Sequence, residues 1–252
     1  MIKVIMNGCN GQMGRVISDL CAAEEDTTIV AGVDINTEKN YDYPVYEAIT
    51  DCSEAADVVI DFSTASCVDG VIAHCVENRI PLVLCTTGLS DDQEEVVREA
   101  AREVAVLQSA NMSLGINTLI ELLKPAARAL AGAGFDIEIL EKHHNRKLDA
   151  PSGTALALAD AVNEAMNDAY DYKFDRSSER KQRGKYEIGI QSIRGGNIVG
   201  EHEVMFCGTD EIVSLKHVAN SRSIFAKGAI AAAHFLAGKP AGLYDMGDVI
   251  RG

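Results

Sequence analysis

The feature that most constrains the fold is a strand that runs directly into a glycine-rich turn at the start of the chain. Residues 2–6, IKVIM, predict a buried strand, and the segment GCNGQMG then places glycines at positions 8, 11 and 14. Such a turn bends sharply, lets its backbone approach a pyrophosphate closely and opens a helix whose N–H groups face the phosphates. The glycine spacing differs slightly from the usual G-x-G-x-x-G. The sequence therefore predicts a dinucleotide-binding turn followed by a helix over residues 15–24.

An acidic residue follows the second predicted strand, which covers residues 28–33. Asp34 lies twenty residues after Gly14, where a carboxylate can accept hydrogen bonds from the ribose hydroxyls of NAD and would repel the extra phosphate of NADP. Ile35 offers no compensating cation, so the sequence favours NADH. Lys39 lies close enough in sequence to reach a 2′-phosphate, which leaves use of NADPH open. The alternative reading of Asp34 is a solvated residue that ends a strand.

Strand-like and helical runs alternate through the first hundred residues. Strands are predicted at 58–62, 81–85 and 104–108, with helices at 68–77 and 91–102 between them. Such alternation is typical of a parallel sheet with right-handed crossovers, and ligands bind at the carboxyl ends of its strands. The sequence predicts an α/β, doubly wound (Rossmann) domain. The loops expected to line its ligand crevice cover residues 8–14, 62–64, 85–88 and 109–112.

The pattern changes after residue 111. A helix at 116–130 and a strand at 135–140 are followed, after a polar loop at 167–185, by three strand-like runs at 186–193, 201–207 and 211–217. These runs suggest a smaller α+β domain with a mixed or antiparallel sheet, in which Gly195 and Gly196 form a turn. The polar loop is either a surface excursion or a lid or oligomer contact. An alanine-rich helix at 223–236 could return to pack on the first domain.

The segment 138–154, EILEKHHNRKLDAPSGT, combines two histidines, a lysine and a Ser-Gly-Thr turn. His143, His144 and Lys147 supply proton donors and positive charge. Ser152 or Thr154 would cap a helix predicted over residues 155–166, whose N-terminal N–H groups can bind a carboxylate. Single histidines are more often structural than catalytic, and in an extended segment the two would point to opposite faces. Their clustering favours an active site for a small ligand that carries carboxylates.

Charge and cysteine usage exclude several classes of protein. The net charge of −15 argues against nucleic-acid binding, which depends on cations that neutralise phosphates. Against that background, the basic run that includes Lys147 would attract a dianionic substrate. The seven cysteines are scattered without the spacing of a disulfide framework or a metal site. With no signal peptide and no apolar run of membrane-spanning length, the expected protein is a cytoplasmic enzyme without a bound metal.

Five segments together resemble the dihydrodipicolinate (4-hydroxy-tetrahydrodipicolinate) reductase family of bacterial lysine and diaminopimelate synthesis. They are GCNGQMG, CTTG at 85–88, SANMSLGIN from 109, EKHHNRKLDAPSGTA from 141 and the terminal GLYDMGDVI. The histidine-lysine-SGT block is the segment most specific to that family. The resemblance implies a nucleotide domain of residues 1–112 and 222–252, a substrate-binding and tetramerisation domain of residues 113–221, closure of the two around their ligands, and a homotetramer.

The resemblance also implies roles for individual residues. His143 matches the family's general acid or base, Lys147 its second proton donor, and His144, Ser152, Gly153 and Thr154 its substrate-binding positions. The matching cofactor-binding positions are Gly8, Cys9, Asn10, Gly11, Gln12, Met13, Asp34, Cys85, Thr86, Thr87, Ser109, Ala110, Asn111 and Met112. Cys85 stands where the family often has glycine, Met112 where it often has phenylalanine, and Ile35 where members that use NADPH well can carry arginine.

The reaction that this resemblance implies is the NAD(P)H-dependent reduction of 4-hydroxy-tetrahydrodipicolinate to tetrahydrodipicolinate. Two alternative functions would explain some of the same sequence features. Another NAD-dependent amino-acid dehydrogenase or reductase would explain the glycine turn and Asp34 but not the histidine-lysine-SGT block. A non-catalytic NAD-binding sensor would bind the dinucleotide without turnover.

Overall fold

The computed structural model describes residues 1–252, which form two compact units. Unit 1 comprises Met1–Leu114 and Ser223–Gly252, and unit 2 comprises Gly115–Arg222. In chain order the elements are β1 (Ile2–Asn7), α1 (Gln12–Ala23), β2 (Thr27–Val33), β3 (Val45–Tyr46), β4 (Val58–Asp61), α2 (Ala65–Asn78), β5 (Leu82–Leu84), α3 (Asp91–Ala100), β6 (Ala105–Gln108), α4 (Leu114–Leu130), β7 (Asp136–His143), α5 (Gly153–Ala165), β8 (Asp171–Lys173), β9 (Glu187–Arg194), β10 (Gly200–Cys207), β11 (Ile212–Ala219), α6 (Ser223–Leu236), β12 (Gly242–Tyr244) and α7 (Met246–Arg251). None of the helices combines the length and apolarity needed to cross a membrane.

Unit 1 is built on a seven-stranded sheet in the order β12-β6-β5-β4-β1-β2-β3, and every pair of neighbouring strands is parallel. Its central strands are near-continuous apolar runs because helices cover both faces of the sheet. One buried layer packs beneath α1 and α6, and a second packs beneath α2 and α3. The predicted doubly wound parallel sheet is confirmed. The sequence analysis did not predict the two short edge strands of this sheet, β3 and β12, or the final helix α7.

Unit 2 contains a five-stranded sheet in the order β11-β10-β7-β9-β8. The predicted mixed or antiparallel sheet is confirmed as a mixed one, because β10 runs antiparallel to β7 and β11, whereas β9 runs parallel to β7 and β8. The predicted turn at Gly195 and Gly196 is a crossover, since β7 lies between β9 and β10. The Gly195 N–H donates to the His143 carbonyl at 2.9 Å, and the Asn145 N–H donates to the Gly196 carbonyl at 3.2 Å. The crossover therefore passes directly over the end of β7.

Helices α4 and α5 pack on one face of the five-stranded sheet and enclose the core of unit 2. Large apolar side chains from the helices, such as Leu123 and Leu158, meet those of the central strands, such as Ile139 and Phe206. Within unit 2, no helix covers the opposite face of this sheet. That face carries both apolar and charged side chains, such as Leu140 and Lys142 of β7.

The polar segment at 167–185 is attached to the sheet of unit 2, and most of its residues are exposed. It contains the edge strand β8, and Arg183 donates to Glu138 at 3.0 Å and to Asp136 at 2.8 Å, both on β7. Arg176 pairs with Glu187 of β9 at 2.6 Å. These charge-assisted bonds hold the segment against the strands. Its role as a lid or an oligomer contact stays a prediction.

Candidate active site

Two rows of polar side chains cross the helix-covered face of the sheet in unit 2, at the carboxyl end of β7. Residues two apart in a strand share a face, so Glu141 and His143 lie on the same side. In the outer row, His143 pairs with Arg194 of β9. In the inner row, Glu141 pairs with His202 of β10, which in turn pairs with His217 of β11. The strand register thus gathers residues that are up to 76 positions apart (217 − 141).

Glu141 is the centre of the hydrogen-bond network at this end of the sheet. Its fully buried carboxylate lies 2.6 Å from the His143 Nδ1 and accepts two bonds from Arg194, at 2.8 and 2.6 Å. The Ser152 N–H adds a fourth contact at 3.1 Å. Burial alone would raise the pKa of Glu141, but hydrogen bonds from Arg194, Ser192 and His143 outweigh it and lower that pKa to about 2. Glu141 is therefore an anion at neutral pH.

The start of α5 is attached to the same network through Ser152. Its Oγ caps the helix by accepting the Ala155 N–H at 3.2 Å, and it lies 3.0 Å from the His202 Nε2. Of the two N-cap candidates, Ser152 is confirmed and Thr154 is wrong, because Thr154 is the second residue of α5. The Ser152 side chain is buried, so its hydroxyl serves the fold of the site. A Cβ at Gly153 would meet nothing within 4 Å, which leaves the approach to the helix N-terminus open.

His202 is a buried neutral imidazole next to His143. The two rings meet edge to face, with centroids 5.1 Å apart and planes inclined at 71°. Burial first, and the positive charge of His143 second, lower the pKa of His202 to about 4. The sequence did not single out His202, because an isolated histidine in a strand carries no signal of its own. Its position across from Glu141 makes it part of the site.

Positive side chains cluster just beyond the end of β7. Lys147 forms an ion pair with Asp149 at 2.8 Å. Desolvation, and then the charges of Arg146 and Arg222, lower the pKa of His144. Arg222 had no place in the sequence-based site, since only the fold brings it near the histidines. Arg146, Lys147 and Arg222 are three positive charges close to His144 in a protein of net charge −15. They make this end of unit 2 suited to an anionic ligand.

The glycine-rich turn of unit 1 has the close backbone packing that a dinucleotide site needs. Gly8 has φ +81°, and a Cβ there would lie 2.5 Å from the Phe62 carbonyl oxygen. A Cβ at Gly14 would lie 2.1 Å from the Gly8 carbonyl oxygen. Beside the turn lies a cavity of about 250 Å³ lined by Asn7, Gly8, Gly11, Val33, Asp34, Ile35, Glu47, Phe62, Ser63, Thr64 and Cys67. The residues present therefore fit the adenosine end of a nicotinamide dinucleotide.

Asp34 lies at the carboxyl end of β2 and anchors the turn. One carboxylate oxygen accepts the Asn10 N–H at 2.9 Å, and the other accepts the Asn36 N–H at 3.0 Å. The Asn10 side chain donates to the carbonyl groups of Asn36 and Glu38, at 2.6 and 2.8 Å. The loop that carries the exposed Lys39 is thereby tied to the glycine-rich turn. Since a carboxylate has about four acceptor sites, Asp34 can still accept ribose hydroxyls.

The remaining predicted cofactor residues lie at the carboxyl ends of neighbouring strands, but not all of them can offer a side chain. Cys9 and Met112 are packed in the core, so only their backbone groups are available. Ser109 donates its hydroxyl to the Asn111 carbonyl at 3.3 Å. The exposed members are Gln12, Thr87 and Ala110, with Met13 and Cys85 half-buried.

Asp61 is a further residue that sequence reasoning did not assign to the site. It is fully buried at the end of β4 and accepts the Asn7 side-chain amide and the Thr86 hydroxyl, each at 2.6 Å. The Ser63 N–H donates to the same carboxylate at 3.2 Å. One carboxylate therefore joins the ends of β1, β4 and β5. An acidic residue that ends a buried strand was the available signal.

Comparison with known proteins gives a consistent result over the whole chain. The family descriptions "Dihydrodipicolinate reductase, N-terminus" and "Dihydrodipicolinate reductase, C-terminus" match residues 2–112 and 115–250. The 4-hydroxy-tetrahydrodipicolinate reductase of Caldanaerobacter subterraneus subsp. tengcongensis is 48% identical over 251 residues, covering 100% of this chain and 99% of the relative. That of Clostridium tetani is 47% identical over 246 residues, covering 98% and 96%. The solved dipicolinate-bound dihydrodipicolinate reductase from a Paenisporosarcina species shares the fold, with a TM-score of 0.82 at 24% identity, covering 97% of each chain.

Proposed function

Because the chain belongs to the dihydrodipicolinate reductase family, we propose that it reduces 4-hydroxy-tetrahydrodipicolinate to tetrahydrodipicolinate with a nicotinamide cofactor, a step of lysine and diaminopimelate synthesis. The structural observation that best supports this activity is the cluster of polar residues at the end of β7. There His143, Lys147 and the N-terminus of α5 come together in one unit of the fold. A dinucleotide-binding sensor would have no use for such a cluster.

The net reaction removes one water molecule from the substrate and adds one hydride and one proton. Bound NAD(P)H supplies the hydride. The chain has to supply the proton, and His143 is the proposed donor because an imidazole exchanges protons near neutral pH. Lys147 is proposed as the second donor, or as the charge that stabilises the electron-rich ring after reduction. Its present partner is the exposed carboxylate of Asp149, for which a substrate carboxylate could substitute.

The substrate carries two ring carboxylates, which matches the charge of this site. One is proposed to bind at the N-terminus of α5, where Gly153 and Thr154 present backbone N–H groups beyond the Ser152 cap. His144 and Lys147 are proposed to bind the ring through hydrogen bonds and charge. The solved relative from Paenisporosarcina holds dipicolinate, which is also a dicarboxylate. Fixing both carboxylates would orient the reacting carbon.

NADH is the proposed preferred cofactor, with NADPH as a possible second. Two carboxylates, Asp34 and Glu47, line the cavity beside the glycine-rich turn, and its lining includes no cation. A 2′-phosphate placed there would be repelled. Lys39 is exposed on the loop that Asn10 ties to the turn, and its ammonium is the group that could offset the repulsion.

A homotetramer built through the sheets of unit 2 is also proposed. Ile193, Ile212 and Val218, on strands of that sheet, are 45%, 63% and 46% exposed. Such apolar exposure on a sheet face commonly marks an interaction surface. Analytical ultracentrifugation would test this: sedimentation as a tetramer supports it, and a monomer at micromolar concentration contradicts it. A cytoplasmic location stays a prediction from the sequence.

The experiment that tests the catalytic assignment compares single variants in a coupled assay. Substrate is made in the cuvette from pyruvate and aspartate semialdehyde by the upstream synthase, and cofactor oxidation is followed. H143Q and K147M should each lower kcat by about 10²-fold or more, the size of a general acid contribution, while dinucleotide affinity stays unchanged. K124M is the matched control, because Lys124 of α4 is likewise ion-paired at the surface of unit 2.

The outcomes separate the alternatives. Full activity in H143Q and K147M would refute the proposed roles of these residues. No turnover by the parent protein, despite dinucleotide binding, would favour a sensor. Turnover of an amino acid with NAD, in place of 4-hydroxy-tetrahydrodipicolinate, would favour a dehydrogenase.

A further inference from the structure

An ion pair between Glu141 of β7 and Arg194 of β9 contacts the Nδ1 edge of the His143 ring. Glu141 is fully buried, and Arg194 grips it through both terminal nitrogens. We propose that Glu141, held in place by Arg194, is a positioning residue that fixes His143 in the tautomer with hydrogen on Nδ1, so that Nε2 exchanges the proton with the substrate. The part about Nε2 rests on the proposed function, whereas the tautomer itself does not.

The hydrogen-bond inventory of Glu141 dictates the tautomer. The Ser192 side chain bonds to this carboxylate, and a hydroxyl can donate to it. Four further contacts divide between the two oxygens: Arg194 and His143 on Oε2, and Arg194 and Ser152 on Oε1. Three of these four come from groups that can only donate, and an ionised carboxylate can only accept. The remaining contact, at 2.6 Å to the His143 Nδ1, is therefore satisfied only if Nδ1 carries hydrogen. A neutral histidine side chain in water prefers hydrogen on Nε2, so Glu141 has to reverse that preference.

Arg194 makes the anion of Glu141 possible in this buried position. An unpaired buried carboxylate becomes protonated, and a protonated carboxyl can donate to Nδ1 and so stabilise the wrong tautomer. The same guanidinium donates to the Asp149 carbonyl at 2.7 Å. Asp149 is also the ion-pair partner of Lys147. Arg194 thus contacts both Glu141, the partner of His143, and Asp149, the partner of Lys147.

The surroundings of the His143 ring hold it in place and leave room beside its Nε2. The ring packs edge to face with His202, 5.1 Å between centroids. Gly200 of β10 lies beside Nε2, and a Cβ there would lie only 3.2 Å from that nitrogen. Glycine at this position therefore leaves room beside Nε2. The ring is held by the bond from Nδ1 to Glu141 and by its contact with His202. Nε2 is therefore the nitrogen that can exchange a proton with the substrate.

Nitrogen NMR of the histidine rings tests this directly in the protein without substrate. A ¹H–¹⁵N long-range correlation spectrum, recorded at a pH where His143 is neutral, distinguishes the protonated ring nitrogen from the bare one. The H143Q variant assigns the resonances by their disappearance. The expected result is hydrogen on Nδ1 in the parent protein and a majority of hydrogen on Nε2 in E141A. E187Q is the matched control, since Glu187 is also paired with an arginine on the same sheet, and it should leave the His143 spectrum unchanged.

Turnover gives the second measurement. E141A should lower kcat about tenfold to a hundredfold, a part of what general acid catalysis contributes, with KM changed by about twofold or less. Hydrogen on Nε2 in the parent protein overturns the inference whatever the activity, and so does an unchanged tautomer in E141A. If the parent protein shows hydrogen on Nδ1 but does not reduce the substrate, the positioning role of Glu141 stands and the proposed function fails. Because the parent spectrum alone can refute the inference, a poorly folding variant does not remove the test.

Discussion

Replacing Glu141 by glutamine should weaken the fold in a way that depends on pH. Glutamine keeps the volume and one acceptor oxygen but removes the charge that Arg194 binds. In the native protein the pKa of Glu141 falls from 4.5 to about 2, because the bonds from Arg194, Ser192 and His143 outweigh burial. Each pKa unit corresponds to about 1.4 kcal/mol, so the charge contributes about 3 kcal/mol to the free energy of unfolding at neutral pH.

The sign of the pH dependence follows from the lowered pKa. A carboxyl whose folded pKa lies below its unfolded value stabilises the fold above the unfolded pKa, here 4.5, and loses that contribution as pH falls through about 2. About half of the 3 kcal/mol should be gone near pH 3. The variant also leaves Arg194 without its anion, which adds a loss that is nearly independent of pH. Only the pH-dependent part measures the charge of Glu141.

Urea unfolding followed by far-UV circular dichroism measures this difference. The parent protein and E141Q are unfolded at matched protein concentration, at several pH values between about 6 and 3, the range over which the linkage acts. The difference in free energy of unfolding should be largest near pH 6 and should shrink steadily toward pH 3. A difference that stays constant across that range would refute the reasoning, because it would mean that Glu141 has the same pKa in the folded and unfolded chain.

Three further predictions concern single positions. D34S should raise the ratio of kcat/KM with NADPH to that with NADH by about tenfold, since one repulsive charge near the 2′-position is removed; an unchanged ratio would show that Asp34 does not set the preference. G14A should abolish dinucleotide binding in calorimetry while the ring signals of His143 persist, because the new Cβ would lie 2.1 Å from the Gly8 carbonyl oxygen; normal binding would contradict the close packing of the turn. S152A should lower the free energy of unfolding by about 1 kcal/mol through loss of the α5 cap, and S152T should recover most of it; equal stability of S152A and the parent protein would show that the cap is not stabilising.

The first part of the fold could be predicted from local sequence. The apolar strand, the glycine-rich turn and the helix that follows are adjacent in the chain, and each leaves a periodic or compositional signal. The same holds for Ser152, whose cap bond reaches only to Ala155. Where the structure depends on neighbours in sequence, most of the predictions agree with it; the alternative N-cap at Thr154 does not.

The second sheet could not be predicted in the same way. The sequence predicts a turn at Gly195 and Gly196 between β9 and β10, but these two strands do not pair, because β7 lies between them. The contacts of Glu141 with Arg194 and of Ser152 with His202 join residues 53 and 50 positions apart. No local pattern marks such partners. Glu141 and His202 could be recognised as part of the site only after the register of three strands was known.

The most direct test of the central claim is transfer of a labelled hydride to the substrate. The protein is incubated with substrate from the upstream synthase and with NADH that carries deuterium at both positions of the nicotinamide C4, and the product is analysed by mass spectrometry. A reductase places one deuterium on a ring carbon of tetrahydrodipicolinate, and H143Q should do so far more slowly. Oxidation of the cofactor without deuterium in the ring product, or no oxidation at all, would contradict the assignment.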